Sequence, residues 1–256
     1  MKSDDTNWTR EQLLLTLNLY TKLPFGRLSK STPEVRELAK ILGRTDSAVA
    51  MKLVNFASID PRLKQKGLSG TSKLDKIVWA EYMQNWDEMF FEGEEILAKK
   101  QNTTLAKLYN VDLDGYDKSE GKEIERVVKV RVYQQGFRAA VLTNYNNKCC
   151  ITGIGMTELL VASHILPWSK GEAHRLNPEN GFALNALHDK AFDRHLITIT
   201  EDLTVKIAPV FYKHKEIESI QQNFINYDGK RIADANKFYP KTDFLKIHNE
   251  KFEVHL

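Results

Sequence analysis

Between Cys149 and Ile199 the chain changes character every few residues, and that punctuation leaves room for little except a short hairpin closed by a helix. Leu160–Val161–Ala162–Ser163–His164–Ile165 is a β-prone run, cut short by Pro167. The turn-forming stretch Asn177–Pro178–Glu179–Asn180–Gly181 precedes Phe182–Ala183–Leu184, which reads as the returning strand. A helical segment then carries His188, Asp189 and Asp193. The two aspartates stand one turn apart, so both carboxylates can address a single cation from one helix face. His164 is a candidate general base, because an unperturbed imidazole titrates near neutral pH. Hydrolysis of a phosphodiester needs a water made nucleophilic, and a cation to offset charge on the phosphate and the leaving oxygen. Hairpin, turn and helix would gather both kinds of group around one phosphate.

With these residues in view, the segment resembles the HNH (ββα-metal) nuclease motif. The relevant branch reads His-Ile-x-Pro-Trp, then Asn-Gly-x-x-Leu, then a His/Asp-rich helix ending in Phe-Asp. Here these are His164 to Trp168, Asn180 to Leu184, and His188 to Asp193. The resemblance extends over 130–205. It implies His164 as the base, and Asn180 as the residue that holds the loop by backbone hydrogen bonds and orients the imidazole. It also implies Asp189 and Asp193 as metal ligands, with His188 a rival for one position. Arg194, next to Asp193, is a candidate for an added phosphate contact. The ion it implies is divalent and hard, Mg²⁺ first and Mn²⁺ as the alternative. The products it implies are a 5′-phosphate and a 3′-hydroxyl.

Two departures stand out. Many HNH enzymes carry Asp or His just before the base as a further ligand, and here that position is Ser163. Others hold a structural zinc through two Cys pairs, whereas the two cysteines here, Cys149 and Cys150, are adjacent, with Thr152 and Gly153 where a second thiol would fall. Two neighbouring thiols cannot build a four-ligand site, so no structural zinc is expected. Singly, every one of these residues has an ordinary reading: a core histidine, a turn asparagine, a solvated acidic helix face. Their order and spacing raise them above it. His174, His195 and His214 lack such context and read as surface residues. Trp168 and Phe192 read as packing, with Trp168 a candidate stacking surface.

The N-terminal third carries a second pattern. Thr9-x-x-Gln12 is a capping box ahead of Leu13, Leu14, Leu17 and Tyr20. Pro33 suits the first position of a second helix that Gly43 ends, and Thr45 caps a third from Asp46 to Ala57. Val35 to Leu53 resembles a helix-turn-helix, which makes Arg44, Ser47, Lys52 and Asn55 candidates to face DNA, with Arg62, Lys64 and Lys66 near its backbone. Leu74 to Phe91 reads as a further amphipathic helix. Segment 98–122 has the Lys, Asn, Asp and Gly content of a linker. The basic lead-in 123–145 reads as a strand or helix, then a helix, and offers Arg126, Lys129, Arg131 and Arg138 to phosphates. Segment 207–256 is expected to supply a strand pair and a helix.

The expected architecture is α+β: an all-helical, helix-turn-helix-like domain over 1–97, a linker over 98–122, and a ββα-metal HNH module over 123–256 with its core at 149–200. No run approaches the roughly 18 apolar residues of a membrane helix, and residues 1–12 lack the apolar core of a signal peptide. With so few cysteines, a cytoplasmic setting without disulfides is expected. A net charge of +3 is weak support for a nucleic-acid partner. The reading is a metal-dependent endonuclease on double-stranded DNA, of bacterial restriction type, with dependence on base modification left open. A homodimer, or two visits, would cut both strands. The alternatives are a low-specificity nicking, homing or defence nuclease, and a DNA-binding regulator whose HNH fold is inactive.

Overall fold

The computed structural model describes residues 7–63, 67, 70–116, 121–167 and 174–254, and it divides into two compact units, Met1–Ala140 and Val141–Leu256. Lys64, Lys66 and Trp168, named above, lie outside the described residues.

The first unit is helical. α1 (Arg10–Thr21) starts at the capping box: the Thr9 hydroxyl accepts from the Gln12 N–H, and the Gln12 amide oxygen accepts from the Thr9 N–H, both at 3.3 Å. Leu13, Leu14, Leu15, Leu17 and Tyr20 are all buried, so apolar surface runs around the helix and not along one stripe. Such a helix belongs at the centre. α2 (Pro33–Leu42), α3 (Asp46–Ile59), α4 (Lys73–Gln84) and α5 (Trp86–Lys100) all pack on it. Gly43 closes α2 at φ +63°, in the left-handed region where a Cβ adds strain. Thr45 caps α3 by accepting from the Ala48 N–H at 3.2 Å.

Two stretches differ from expectation. The single helix expected over Leu74 to Phe91 is two, parted at Asn85 (φ −125°, ψ 53°), a residue type whose side chain competes with the helical ladder. The stretch 98–116 is packed, unlike a tether. It holds the end of α5 and α6 (Leu105–Leu108), and the buried Tyr109, whose carbonyl accepts from Gln135 at 2.9 Å. Gln135 belongs to α7 (Gly121–Asn144), one continuous helix where strand and helix were alternatives. α7 stays with the first unit through Ala140, so the structural division falls there and not in 98–122. At Gly136 an added Cβ would meet the Phe90 ring at 2.6 Å, which accounts for glycine inside this helix.

In the second unit β1 (Leu160–His164) and β2 (Gly181–Asn185) pair antiparallel, Leu160 opposite Asn185 and His164 opposite Gly181. α8 (Ala186–Asp193) follows without a loop, because Asn185 ends β2 and also caps the helix, accepting from the His188 N–H at 2.9 Å. β3 (Ile197–Ile199) and β4 (Val205–Ile207) form a second hairpin, and α8 packs on β1, β2 and β3. The buried Phe182 and Phe192 meet edge to face at 5.8 Å between hairpin and helix. α9 (Glu218–Asn223) and α10 (Thr242–Val254) complete the unit, α10 lying on β3. The strand pair expected within 207–256 is instead the second hairpin, which lies before that segment except for Ile207. The fold is α+β, a helical region followed by a small hairpin-and-helix module.

Candidate active site

His164 closes β1, half-buried. Its Nε2 lies 3.1 Å from the Arg175 carbonyl oxygen. A carbonyl can only accept, so Nε2 carries the proton and the ring lone pair is on Nδ1. Burial lowers the pKa below the ordinary imidazole value, against the Arg175 carbonyl and the Asp189 carboxylate, which raise it. Burial thus favours the neutral ring, the state a base requires.

Asn180 braces the turn from inside. Its Oδ1 accepts from the Leu166 N–H at 2.8 Å, and its Nδ2 donates to the Leu166 and His174 carbonyls at 3.3 and 3.4 Å. Its own carbonyl accepts from the Ile165 N–H at 2.9 Å. These bonds tie the residues after His164 to the residue before Arg175, and Arg175 supplies the carbonyl that fixes the imidazole.

α8 brings the acids. Asp189 is half-buried, and burial is the main cause raising its pKa; the Ser163 hydroxyl opposes that shift, while Asp193 adds to it. Asp193 is also raised by burial, with Lys190 and Arg194 opposing. Ser163 is only 2% exposed, and its Oγ makes no hydrogen bond of normal geometry, although it faces Asp189 closely enough to lower that carboxyl's pKa. His164, Ser163, Asp189 and, one turn further along, Asp193 thus share one locality. Arg194 is exposed at the C-cap of α8.

His188 is not part of that group. It is 1% exposed, with Nε2 2.6 Å from the Asn223 carbonyl and Nδ1 beside Asn185 (3.4 Å) and the Cys149 sulfur (4.0 Å). Its ring also lies between Phe224 and Tyr227. Both nitrogens hold protein partners, which corrects the expectation of a metal ligand: His188 fastens α8 to the end of α9 and the residues just after it. Burial pushes the Cys149 thiol up, but hydrogen bonds from His188 and Thr152 outweigh it and bring the pKa to about 7. Sequence patterning missed this cluster because Asn223 contributes only a backbone atom.

The four residues expected to face DNA from the first unit divide. Lys52 is buried, its ammonium 2.9 Å from both oxygens of Asp75, which is itself fully buried. Asn55 is buried and donates to the Gly70 carbonyl at 3.4 Å. These two are corrected to internal fasteners. Arg44 is half-buried, donating to the Asn7 carbonyl at 2.6 Å and to Gln12 at 2.8 Å, over the Trp8 ring. Only Ser47 lies on the exposed face of α3, beside Met51 at 55% exposure. That face carries no cation. Arg62 is turned onto Asp60, with N–O contacts of 2.7 and 3.0 Å. On α7, Arg131 is exposed and Arg138 half-buried, on the opposite side of the helix from Lys122, Arg126 and Lys129.

A lone-pair-bearing imidazole at a strand end, across from carboxylates on a closing helix, is the layout of the ββα nucleases. The sequence agrees, since residues 149–200 match the family model described as HNH endonuclease. The chain carries an HNH endonuclease domain and is a nuclease that hydrolyses phosphodiester bonds, with DNA the substrate this domain implies. HNH nucleases generally use a divalent metal ion. No curated protein matches the chain. No helix among the described residues is long and apolar enough to cross a membrane.

The residues present fit such an ion in kind. Asp189 and Asp193 are hard oxygen donors whose burial is relieved by a nearby cation, and the buried Ser163 hydroxyl is a polar atom still lacking a partner. Among the described residues, no group of three or more His, Cys, Asp or Glu side chains converges on one point.

Proposed function

We propose that this nuclease is a Mg²⁺-dependent endonuclease on double-stranded DNA, with Mn²⁺ able to substitute, serving a bacterial restriction or related defence role in the cytoplasm. The observation that carries the mechanism is the Arg175 carbonyl on His164 Nε2, which leaves the basic lone pair on Nδ1. His164 takes a proton from the attacking water there. Asn180 is a positioning residue, tying the Ile165–Leu166 and His174–Arg175 sides of the loop together around the imidazole. Asp189 and Asp193 would hold the cation, whose chemistry when bound is to offset charge on the scissile phosphate and the departing 3′ oxygen. Arg194, at the open end of α8, adds a charged contact to a flanking phosphate. Phosphate contact by the first unit rests on the exposed α7 cations, Arg131 among them, with Arg138 less accessible. A homodimer would place one site on each strand.

One observation favours low sequence specificity over a defined recognition site: the outward face of α3 offers Ser47 and Met51 where base-edge readout calls for Arg, Lys, Asn or Gln. The test is plasmid cleavage with Mg²⁺ on unmodified, 5-methylcytosine and 5-hydroxymethylcytosine DNA. Discrete bands on one substrate establish a restriction enzyme, and a smear on all three establishes the low-specificity alternative. No cleavage of any of them, with Mg²⁺ or Mn²⁺, contradicts both.

A further inference from the structure

α7 carries cations on two sides. Arg131 and Arg138 lie on one, and Lys122, Arg126 and Lys129, spaced four and three residues apart, share the other. With Lys99 of α5, these three rim a cavity of about 710 Å³ that lies wholly within the first unit, between α5, α6 and the first turns of α7. Its walls are apolar: Ala98 and Val128 are buried, and Phe91 and Leu105 half-buried. A cavity of this size is in the range that holds a small organic ligand.

The charge balance indicates which kind. Glu95 and Glu125 share the lining, so four cations face two carboxylates and the rim is net positive. Lys99 and Lys122 form no ion pair among the described residues, although the neighbouring Lys100 meets Glu11 at 3.8 Å. Arg126 reaches only Glu123, at 3.8 Å, with both side chains exposed. Lys129 is held over the Phe91 and Tyr133 rings, at 5.3 and 5.6 Å, which fixes one ammonium beside the apolar wall. Cations grouped without answering carboxylates are relieved by an anion. A bare phosphate would leave the apolar wall wet, and an aliphatic acid would bring a single charge to several cations. A phosphate joined to an aromatic body satisfies both.

We propose that this cavity is a nucleotide site, the phosphates held by Lys99, Lys122 and Arg126 and the base lying on Ala98, Val128 and Phe91. Arg126 grips phosphate oxygens through parallel N–H donors, and the lysines act as point charges. The nucleotide is either free in solution or the 5′-phosphorylated end of a DNA strand, and the chemistry recognised is the same. The site goes beyond the nuclease reading and does not rest on it, since no lining residue belongs to the HNH domain.

The experiment is calorimetric titration of ATP into the full chain in EDTA, where no metal-dependent cleavage contributes. One ATP per chain is expected, weakened about tenfold or more by Lys122→Ala/Arg126→Ala through lost charge-assisted hydrogen bonds. Lys213→Ala/Lys215→Ala removes equal charge from exposed positions of the second unit and should leave the affinity unchanged. Tripolyphosphate, which lacks the base, should bind about tenfold or more weakly than ATP. A 5′-phosphorylated oligonucleotide that displaces ATP, where its 5′-hydroxyl counterpart does not, assigns the site to strand ends. ATP undisturbed by either assigns it to free nucleotides. Displacement by both alike overturns the nucleotide site in favour of a plain DNA-backbone contact. Tripolyphosphate binding as tightly as ATP overturns the part assigned to the base. Equal ATP affinity in wild type and Lys122→Ala/Arg126→Ala, or no binding heat at millimolar ATP, overturns the site.

Discussion

The helix-turn-helix-like stretch and the hairpin-helix module present similar sequence signals, polar residues at regular spacing on well-capped elements, and the structure uses them in opposite ways. In α3 the polar residues turn inward: Lys52 to Asp75, Asn55 to Gly70. In β1 and α8 they converge: Ser163 and His164 on the strand meet Asp189 on the helix. The difference lies in how far away the partner is in sequence. β1, β2 and α8 follow one another directly, and strand register fixes which residues share a locality. For α3 the deciding partner is a carboxylate on α4, and nothing within α3 announces it. A regular polar pattern thus defines an element, but the neighbouring element decides which of its residues remain at the surface.

That contrast can be broken or sharpened by substitution. Asp189→Asn should have the largest effect, lowering metal-dependent cleavage by about a thousandfold or more, since metal assistance is worth several kcal/mol. Single-turnover kinetics, with circular dichroism to confirm an intact fold, would read it. In the first unit, Lys52→Ala should strand the Asp75 carboxylate and cost about 3–5 kcal/mol of stability in urea melts. A normal melt with weakened DNA binding would return Lys52 to the DNA-facing role.

The next effect concerns pH. Burial, with His195 nearby, lowers the pKa of His248 to about 4; its ring stacks on Phe192 and its nitrogens meet Thr198 and the Phe192 carbonyl. The unfolded chain binds this proton near pH 6.5, and the folded one only near 4. Stability is thus fully present above 6.5 and is lost as pH falls from 6.5 toward 4, by up to about 3 kcal/mol. Melting temperatures across that window should fall for the wild type and flatten for His248→Gln. Smallest is Asn180→Ala, which leaves the buried Leu166 N–H unpaired at about 1–3 kcal/mol. It should lower kcat while Mn²⁺ affinity stays unchanged. Weakened Mn²⁺ binding would instead make Asn180 part of the ion's surroundings.

Much of the fold was legible because its signals are local. The Thr9/Gln12 box, Pro33, Gly43 and Thr45 bound their helices through contacts within a turn of the chain. The hairpin and α8 were legible for the same reason. The break at Asn85 was not, because Leu74 to Phe91 keeps a helical apolar pattern across it. Nor was the packing of 98–116, where polar composition hides the buried Tyr109. In the site, residue types identified His164 and the two aspartates as candidates. They could not exclude His188, whose partner is the backbone of Asn223, or show that the Ser163 hydroxyl lacks one.

The part assigned to His164 is tested most directly by the single-turnover rate of plasmid cleavage in saturating Mg²⁺ for wild type and His164→Ala. With the base removed, the rate should fall by about 10²–10⁴-fold while Mn²⁺ and DNA still bind. A variant that cleaves at the wild-type rate would contradict the assignment.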